Sequence, residues 1–274
     1  MKVVLFCGGM GMRMRPLDGG GGAGEDLPKP MVHVGGQRPL IWHVMKYYAH
    51  YGHKDFILCL GYLGDVIHAH FRALDPTGGE VLPGARTTVR YRPHGASMDG
   101  WTVTCVDTGS DANIGMRLKA VESHLAGEEF FLANYADGLS DLDLTAYLER
   151  FRASDLVASF LCVRPHLTFH VVDADAEGLV RDIRPASRAE LWINAGFFAF
   201  RRGILDVMRE GEELVVEPFQ RLLAEGKLRA HREACFWQCM DTFRDKQTLE
   251  DLMAGGVPPW RVWERASDAK ETRS

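Results

Sequence analysis

Lys2-Val3-Val4-Leu5-Phe6-Cys7 runs without a break into Gly8-Gly9-Met10-Gly11-Met12-Arg13-Met14-Arg15-Pro16. The first six residues are an apolar, β-branched run of the length of a buried strand. Glycines directly after such a strand, followed by arginines, are how α/β proteins bring backbone N–H groups up against a phosphate. Pro28-Lys29-Pro30-Met31 comes next, a lysine held between two prolines. The proline rings fix φ and lower the entropy cost of holding that ammonium against phosphate oxygens. Together the two segments point to a protein that handles a nucleoside triphosphate.

Two common owners of a glycine loop are excluded by arithmetic. A dinucleotide-binding fingerprint needs a third glycine where Met14 stands and an acidic residue closing the second strand, and neither is present. A Walker A loop needs Gly-Lys-Ser/Thr, which neither the first loop nor Gly19 to Gly22 provides. Arg13, Arg15 and Lys29 remain, and guanidinium groups suit the charge that develops on a leaving pyrophosphate. Gly19 to Asp26 reads either as a lid or hinge between loop and lysine or as a surface insertion without a role.

The pattern downstream alternates between strand and helix. Leu40 to Tyr51 has apolar residues at helical spacing, Gly52 stops it, and Asp55 to Leu60 reads as a buried strand, which makes a βαβ unit with parallel pairing. Further helices are expected at Val66–Leu74, Met116–Leu125, Leu144–Ala153, Leu214–Ala224 and Thr248–Ala254. Further strands are expected at Thr87–Tyr91, Trp101–Val106, Phe130–Ala133, Leu156–Val163, His170–Ala174 and Ile193–Phe200. Pro76 to Gly100 reads as a loop-rich excursion near the site. His43 and His50 fit a helix surface.

With 274 residues, 46% hydrophobic and 25% charged, the chain suits a globular fold with a substantial core. A net charge of −5 argues against a nucleic-acid-backbone binder. The six cysteines form no CxxC pair and read as free thiols of a reducing cytoplasm. No stretch reaches the ~20 apolar residues of a membrane span.

Asp137 follows an apolar strand and precedes Gly138, at the sheet edge where open α/β folds bind ligands; the same position also suits an Asx-turn. Asp241 emerges from Phe236-Trp237-Gln238-Cys239-Met240. Two hard oxygen donors from distant parts of a chain are what Mg²⁺ needs when triphosphate oxygens and water complete its shell. Asp107, Asp141 and Asp143 are lesser candidates, the last two reading as caps of the helix from Leu144.

These segments carry a resemblance. KVVLFCGGMGMR, LPKPMVHVGG, FILCLGYLGDVI, VTCVDTG, FLANYADGLSDLD, INAGFF and FWQCMDTFRDK together resemble the bacterial glucose-1-phosphate cytidylyltransferases, within the sugar-1-phosphate nucleotidyltransferase family. The resemblance implies a Rossmann-like GT-A-type α/β fold, with a mixed, mostly parallel sheet flanked by helices. It implies one nucleotidyltransferase domain over 1–274: 1–140 mainly nucleotide-binding, 141–265 mainly sugar-binding and C-terminal, 266–274 a frayed tail. By the same token Gly8, Gly9, Gly11, Met12 and Arg13 lie at the triphosphate, and Thr108, Gly109, Gly115 and Arg117 lie where the nucleotide and its base are positioned. Arg13, Lys29 and Asp137 would be catalytic, Asp137 and Asp241 would hold Mg²⁺, and Arg184, Asn194, Glu217, Tyr135 and His170 would take the sugar phosphate.

The implied reaction is in-line attack of a hexose-1-phosphate, glucose-1-phosphate first, on the α-phosphorus of CTP, in a cytoplasmic homo-oligomer that engages neither nucleic acid nor membrane. The chain departs from the family pattern near both substrates. Met12 stands for a threonine, Ile114-Gly115-Met116-Arg117 for Thr-Gly-Gly-Arg, Ile183-Arg184-Pro185 for Glu-Lys-Pro and Thr168-Phe169-His170 for Arg-Phe-Gly. Two alternatives therefore stand beside the first reading: the same chemistry on another sugar phosphate or nucleotide, and a nucleotide-binding relative without turnover.

Overall fold

The alternation of strand and helix builds a ten-stranded sheet whose parallel centre delivers its C-terminal ends to one place. In the computed structural model residues 1–9, 27–36, 38–95, 97–165 and 169–265 are described. Gly11, Met12 and Arg13, the Gly19–Asp26 segment, Thr168 and the 266–274 tail lie outside them. Strand β1 (Lys2–Phe6) leads to a 3-10 turn at Lys29–Met31, the short hairpin β2 (His33–Val34) and β3 (Arg38–Pro39), and helix α1 (Leu40–His50). There follow β4 (Asp55–Leu60), α2 (Gly64–Leu74), β5 (Glu80–Val81), β6 (Thr88–Tyr91), β7 (Thr102–Asp107), α3 (Ile114–Ala120) and β8 (Phe130–Tyr135).

The second half runs β9 (Gly138–Ser140), α4 (Leu144–Arg152), β10 (Ala158–Val163), the hairpin β11 (His170–Ala174) and β12 (Val180–Pro185), β13 (Ile193–Asn194) and β14 (Phe198–Arg201). It ends with α5 (Ile204–Val207), α6 (Glu217–Ala224), β15 (Leu228–Arg232), β16 (Trp237–Cys239) and α7 (Phe243–Ala254). The sheet order is β13-β10-β14-β8-β1-β4-β7-β6-β5, with β15 on β10. β1 pairs in parallel with both β4 and β8, and β4 with β7. The expected βαβ unit is therefore present. No helix among the described residues is long and apolar enough to cross a membrane.

Both faces of the central strands are covered, which is why they read as continuous apolar runs. Val3 and Leu5 join one core with α1, while Val4 and Phe6 join the other with α3, α5 and α6. Cys7, Cys59, Cys105 and Cys162 are buried, and all six thiols are free.

Element boundaries moved for local reasons. The expected helix from Met116 stops at Ala120 and continues as a 3-10 turn over Glu122–Leu125. The 193–200 strand is split because Gly196 and Phe197 take φ of +78° and +48°, and that left-handed backbone cannot continue a ladder. α6 begins at Glu217 with Pro218 in its first turn, a place suited to proline. α7 begins earlier than expected, at Phe243, on a capping box between Thr242 and Asp245. The 76–100 excursion forms the β5–β6 edge of the sheet. Asp143 caps α4 as expected, accepting from the Ala146 N–H at 3.1 Å. Asp141 instead accepts from the Phe236 N–H at 2.8 Å.

One side chain ties the strand ends together. Arg117, 3% exposed, donates from Nη1 to the Leu60 carbonyl at 3.0 Å and to Thr108 Oγ1 at 2.7 Å. Its Nη2 donates to the carbonyls of Gly8 at 3.0 Å and Ser110 at 3.3 Å. The C-terminal ends of β1, β4 and β7 thus share one guanidinium. A Cβ on Gly8 would lie 2.0 Å from Arg117 Nη1, so a side chain there would displace the guanidinium from its place against the strand ends.

His43 corrects the surface placement expected for it. It is 0% exposed, because α1 buries eight of its eleven residues and leaves no broad polar face. Burial pushes its imidazole down to about 4, helped by the charge of Arg261.

Two predictions follow from these buried groups. Arg117→Met removes the donor to the carbonyls of Gly8 and Ser110, while the Leu60 carbonyl keeps Thr108, and chemical denaturation should show a loss of roughly 3 kcal/mol. His43 binds a proton less readily folded than unfolded, so its contribution is neutral above its ordinary value of 6.5 and turns destabilising as pH falls toward 4. At pH 5 that share is about 2 kcal/mol. The slope of stability against pH between 7 and 5 should flatten accordingly in His43→Leu, and an unchanged slope would refute the assignment.

Candidate active site

Lys29 is placed by proline geometry. Pro28, at φ −64° and ψ 144°, precedes the 3-10 turn, and the turn closes when the Met31 N–H donates to the Pro28 carbonyl at 2.8 Å. The ammonium leaves this turn toward the C-terminal end of β8. There it donates to Asp137 Oδ2 at 2.9 Å and to Asp241 Oδ1 at 2.6 Å.

A three-residue ladder brings the two carboxylates together. Gly138, Leu139 and Ser140 pair with Cys239, Gln238 and Trp237, and the Met240 N–H donates to the Asp137 carbonyl at 2.9 Å. Asp137 and Asp241 therefore flank the same end of the β9–β16 ladder. The backbone of Asp241 is fixed from the other side by Asp245, whose Oδ2 accepts from the N–H of Asp241 at 3.0 Å and of Thr242 at 2.8 Å. The capping box of α7 thus also sets the reach of Asp241.

Electrostatics follow from burial and pairing. Burial pushes the Asp137 carboxyl above its ordinary range, and Lys29 pulls it only partly back. Burial works against the Lys29 ammonium, but Asp137 and Asp241 outweigh it and hold the proton more firmly than usual. Among the described residues no group of three or more His, Cys, Asp or Glu converges as a metal site.

A cavity of about 430 Å³ opens beside the triad, within the range of small-molecule sites. Gly8, Gly9, Lys29, Asn113, Tyr135 and Asp137 are among the residues on its wall. Burial raises the Tyr135 phenol to about 12, with Glu213 and Asp137 adding to the shift and a hydrogen bond with Asn194 opposing it. Asn194 accepts from the Gly196 N–H at 2.9 Å.

Several expected contacts sit elsewhere. Thr108 donates its hydroxyl to the Leu60 carbonyl at 2.6 Å and is buried behind the wall, whereas Arg117 is on the wall itself. Gly109 caps the turn after β7, its N–H on Asp107 Oδ1 at 3.0 Å. Gly115 is a packing glycine, since a Cβ there would lie 2.2 Å from the Glu212 carbonyl. Glu217 is exposed and accepts from the Glu213 N–H at 3.0 Å. Glu213, which sequence reasoning missed, joins Asp111 and Asp137 on the wall, and nothing in the sequence distinguishes it from its acidic neighbours. His170 and Arg184 are exposed on the β11–β12 hairpin, where Arg184 pairs with Asp182 at 2.5 Å. They do not line the cavity, so the present geometry does not give them the sugar-phosphate contact expected of them. None of residues 76–100 lines it either.

The chain matches the family model described as nucleotidyl transferase over residues 2–242. A glucose-1-phosphate cytidylyltransferase of Salmonella typhi is 36% identical over 268 residues, 96% of this chain and 100% of that protein. A mannose-1-phosphate guanylyltransferase of Mycobacterium tuberculosis is 26% identical over 94% of this chain and 64% of its own length. Among solved structures, HddC from Yersinia pseudotuberculosis superimposes with a TM-score of 0.62 at 17% identity, covering 91% of this chain and 98% of the other. Sheet order, the glycine-bounded cavity and these likenesses agree: the chain belongs to the nucleotidyl transferase family.

Proposed function

We propose that the protein makes a CDP-sugar and pyrophosphate from CTP and a hexose-1-phosphate, with α-D-glucose-1-phosphate as the first choice of sugar. The observation that carries this reading is the convergence of Asp137 and Asp241 on Lys29 at 2.6–2.9 Å, with Lys29 and Asp137 on the wall of a cavity that Gly8 and Gly9 also line. The 36% identity to the Salmonella typhi cytidylyltransferase supports the choice of nucleotide and sugar.

The chemistry is one displacement at phosphorus. A sugar-phosphate oxygen forms a bond to the α-phosphorus, the bond from that phosphorus to the β-phosphate bridging oxygen breaks, and pyrophosphate leaves with the electron pair. The attacking phosphate is ionised at pH 7, so no general base is needed. Positioning and charge neutralisation carry the catalysis.

The N–H groups of Gly8 and Gly9 face the triphosphate in this reading, continued by Gly11, Met12 and Arg13. Lys29 lines the same cavity, so rotation of its side chain exchanges a carboxylate for a phosphate oxygen. Tyr135 and Asn194 orient the sugar. Arg117 acts through the loop, holding the Gly8 carbonyl so that the following N–H groups point into the cavity.

The site fits Mg²⁺. Asp137 and Asp241 already converge on one cationic group, the Lys29 ammonium, and a magnesium site built of two carboxylates completed by phosphate oxygens and water is of the usual kind. When bound, the ion supplies charge neutralisation on the triphosphate.

Incubation with CTP, Mg²⁺ and glucose-1-phosphate should release pyrophosphate, and a panel of nucleoside triphosphates against several sugar phosphates should place this pair first. Preference for another pair would move the assignment within the same chemistry. Turnover with no pair would overturn it, and tight CTP binding in its absence would leave a binding protein. Asp137→Asn should lower kcat by about 10²–10³ while circular dichroism and CTP affinity report an intact fold. Full turnover in that variant would remove Asp137 from the machinery.

A further inference from the structure

A second cavity, of about 250 Å³, lies between the β2–β3 hairpin, the start of α1 and the segment after α7. Its wall includes Arg38, Trp42, His43, Ser97, Arg261 and Glu264. Eight buried side-chain polar atoms lack a hydrogen-bond partner among the described residues, and four of them belong to residues on this wall: Trp42 Nε1, both ring nitrogens of His43 and Arg261 Nε. A fifth, Trp260 Nε1, is on a ring that meets His43 edge-on behind the wall, with centroids 6.3 Å apart. Buried polar groups are normally paired, so such a concentration marks a place built for something else.

The missing partner is chiefly an acceptor. The Trp42 indole and Arg261 Nε can only donate, and a neutral imidazole adds one further N–H beside one acceptor nitrogen, which the hydroxyl of a protonated oxyanion can serve. The Val34 carbonyl lies toward His43 but outside hydrogen-bond geometry with it. Charge points the same way. Arg38, whose guanidinium carbon lies 5.3 Å from the Trp42 ring centroid, and Arg261 are both cationic. Glu264, the carboxylate on the wall, accepts from Arg261 Nη1 at 3.1 Å. Lys46 stands nearby, donating to the Ser97 carbonyl at 3.3 Å. The cavity is below the usual size of a site for a drug-sized ligand and smaller than the one beside Lys29, so it suits a small group rather than a nucleotide.

We propose that this cavity binds a small oxyanion of the phosphate class, its oxygens held by the indole of Trp42, the imidazole of His43 and the guanidiniums of Arg38 and Arg261. The site joins the two segments that carry the distant active-site charges. β2 begins two residues after the Lys29–Met31 turn, and Arg261 lies seven residues beyond the α7 that follows Asp241. Gly35 packs so closely on α7 that a Cβ would lie 2.2 Å from Met253 Cε. A bound oxyanion bridges hairpin and C-terminal segment and stiffens the frame on which Lys29 and Asp241 are mounted.

The test is a titration of the full chain with inorganic phosphate, followed by tryptophan fluorescence and by ¹⁵N resonances of the histidine rings. The nucleotide cavity can also take phosphate, so Lys29→Met runs in parallel with Arg261→Met. A saturable change should persist in Lys29→Met, weaken at least about ten-fold in Arg261→Met, and share its midpoint with a shift of the His43 ring. A response lost in Lys29→Met but kept in Arg261→Met would assign the phosphate to the nucleotide cavity and overturn the proposal, as would the absence of saturable binding, which leaves water as the occupant. Should Arg261→Met not fold, the His43 resonance in the unaltered protein decides, and no shift at saturation overturns the site. Repeating the titration with glycerol 3-phosphate separates the sources: tighter binding identifies a phosphate monoester, weaker binding free phosphate.

Discussion

Lys29 holds two carboxylates that the chain keeps 104 residues apart, at positions 137 and 241. Two half-buried carboxylates at one end of a short ladder repel each other, and burial alone would drive a proton onto one of them. A cation between them removes the conflict. The Lys29 ammonium does this, and the need for such a cation fixes where three remote segments meet.

Behind that triad stands a second layer with a different task. Arg117 has no acidic partner among its hydrogen bonds; it is satisfied by three carbonyls and a hydroxyl from the ends of three parallel strands. Where the strands end, the carbonyls of Gly8 and Ser110 lie beyond the ladder and need another donor, while Leu60 also accepts from the Thr108 N–H at 3.0 Å. A guanidinium with five N–H groups can serve several at once, which a lysine cannot do in the same plane. The same packing leaves no room for a side chain at Gly8. The glycine loop is thus shaped from behind as much as by its substrate.

Sequence reading found what is local. The β1 run, the βαβ unit, Lys29 between its prolines and the two aspartates at strand ends all carry their signal within a few residues. The β9–β16 ladder that pairs those aspartates is three residues long and joins positions about a hundred apart, so no periodicity announces it. Thr108 carried the right type for a nucleotide contact, yet its hydroxyl is taken by the Leu60 carbonyl, a choice between partners that only tertiary structure makes, while Arg117 serves the strand ends from the cavity wall. Glu217 was named where Glu213 lines the cavity, because the first of the two serves as backbone acceptor for the second. His43 was placed on a surface because histidine is polar, whereas its neighbours Trp42 and Val44 and the distant Trp260 enclose it.

This division explains why the family is more legible than the substrate pair. Charges that act on phosphorus must be held rigidly, so they sit at strand ends and proline turns, which leave marks in sequence. Groups that choose the sugar or base need only complement a shape, and they fall on segments with weaker local signatures. Tyr135 ends a buried strand and is easily found, but Glu213 lies between helices, while the β11–β12 hairpin that carries His170 and Arg184 is exposed and packs as a separate two-stranded sheet. An arginine on such a hairpin is free to pair locally with Asp182, as it does. Its contribution to recognition depends on whether a substrate phosphate competes successfully with that carboxylate, an energy difference that neither motif nor fold encodes.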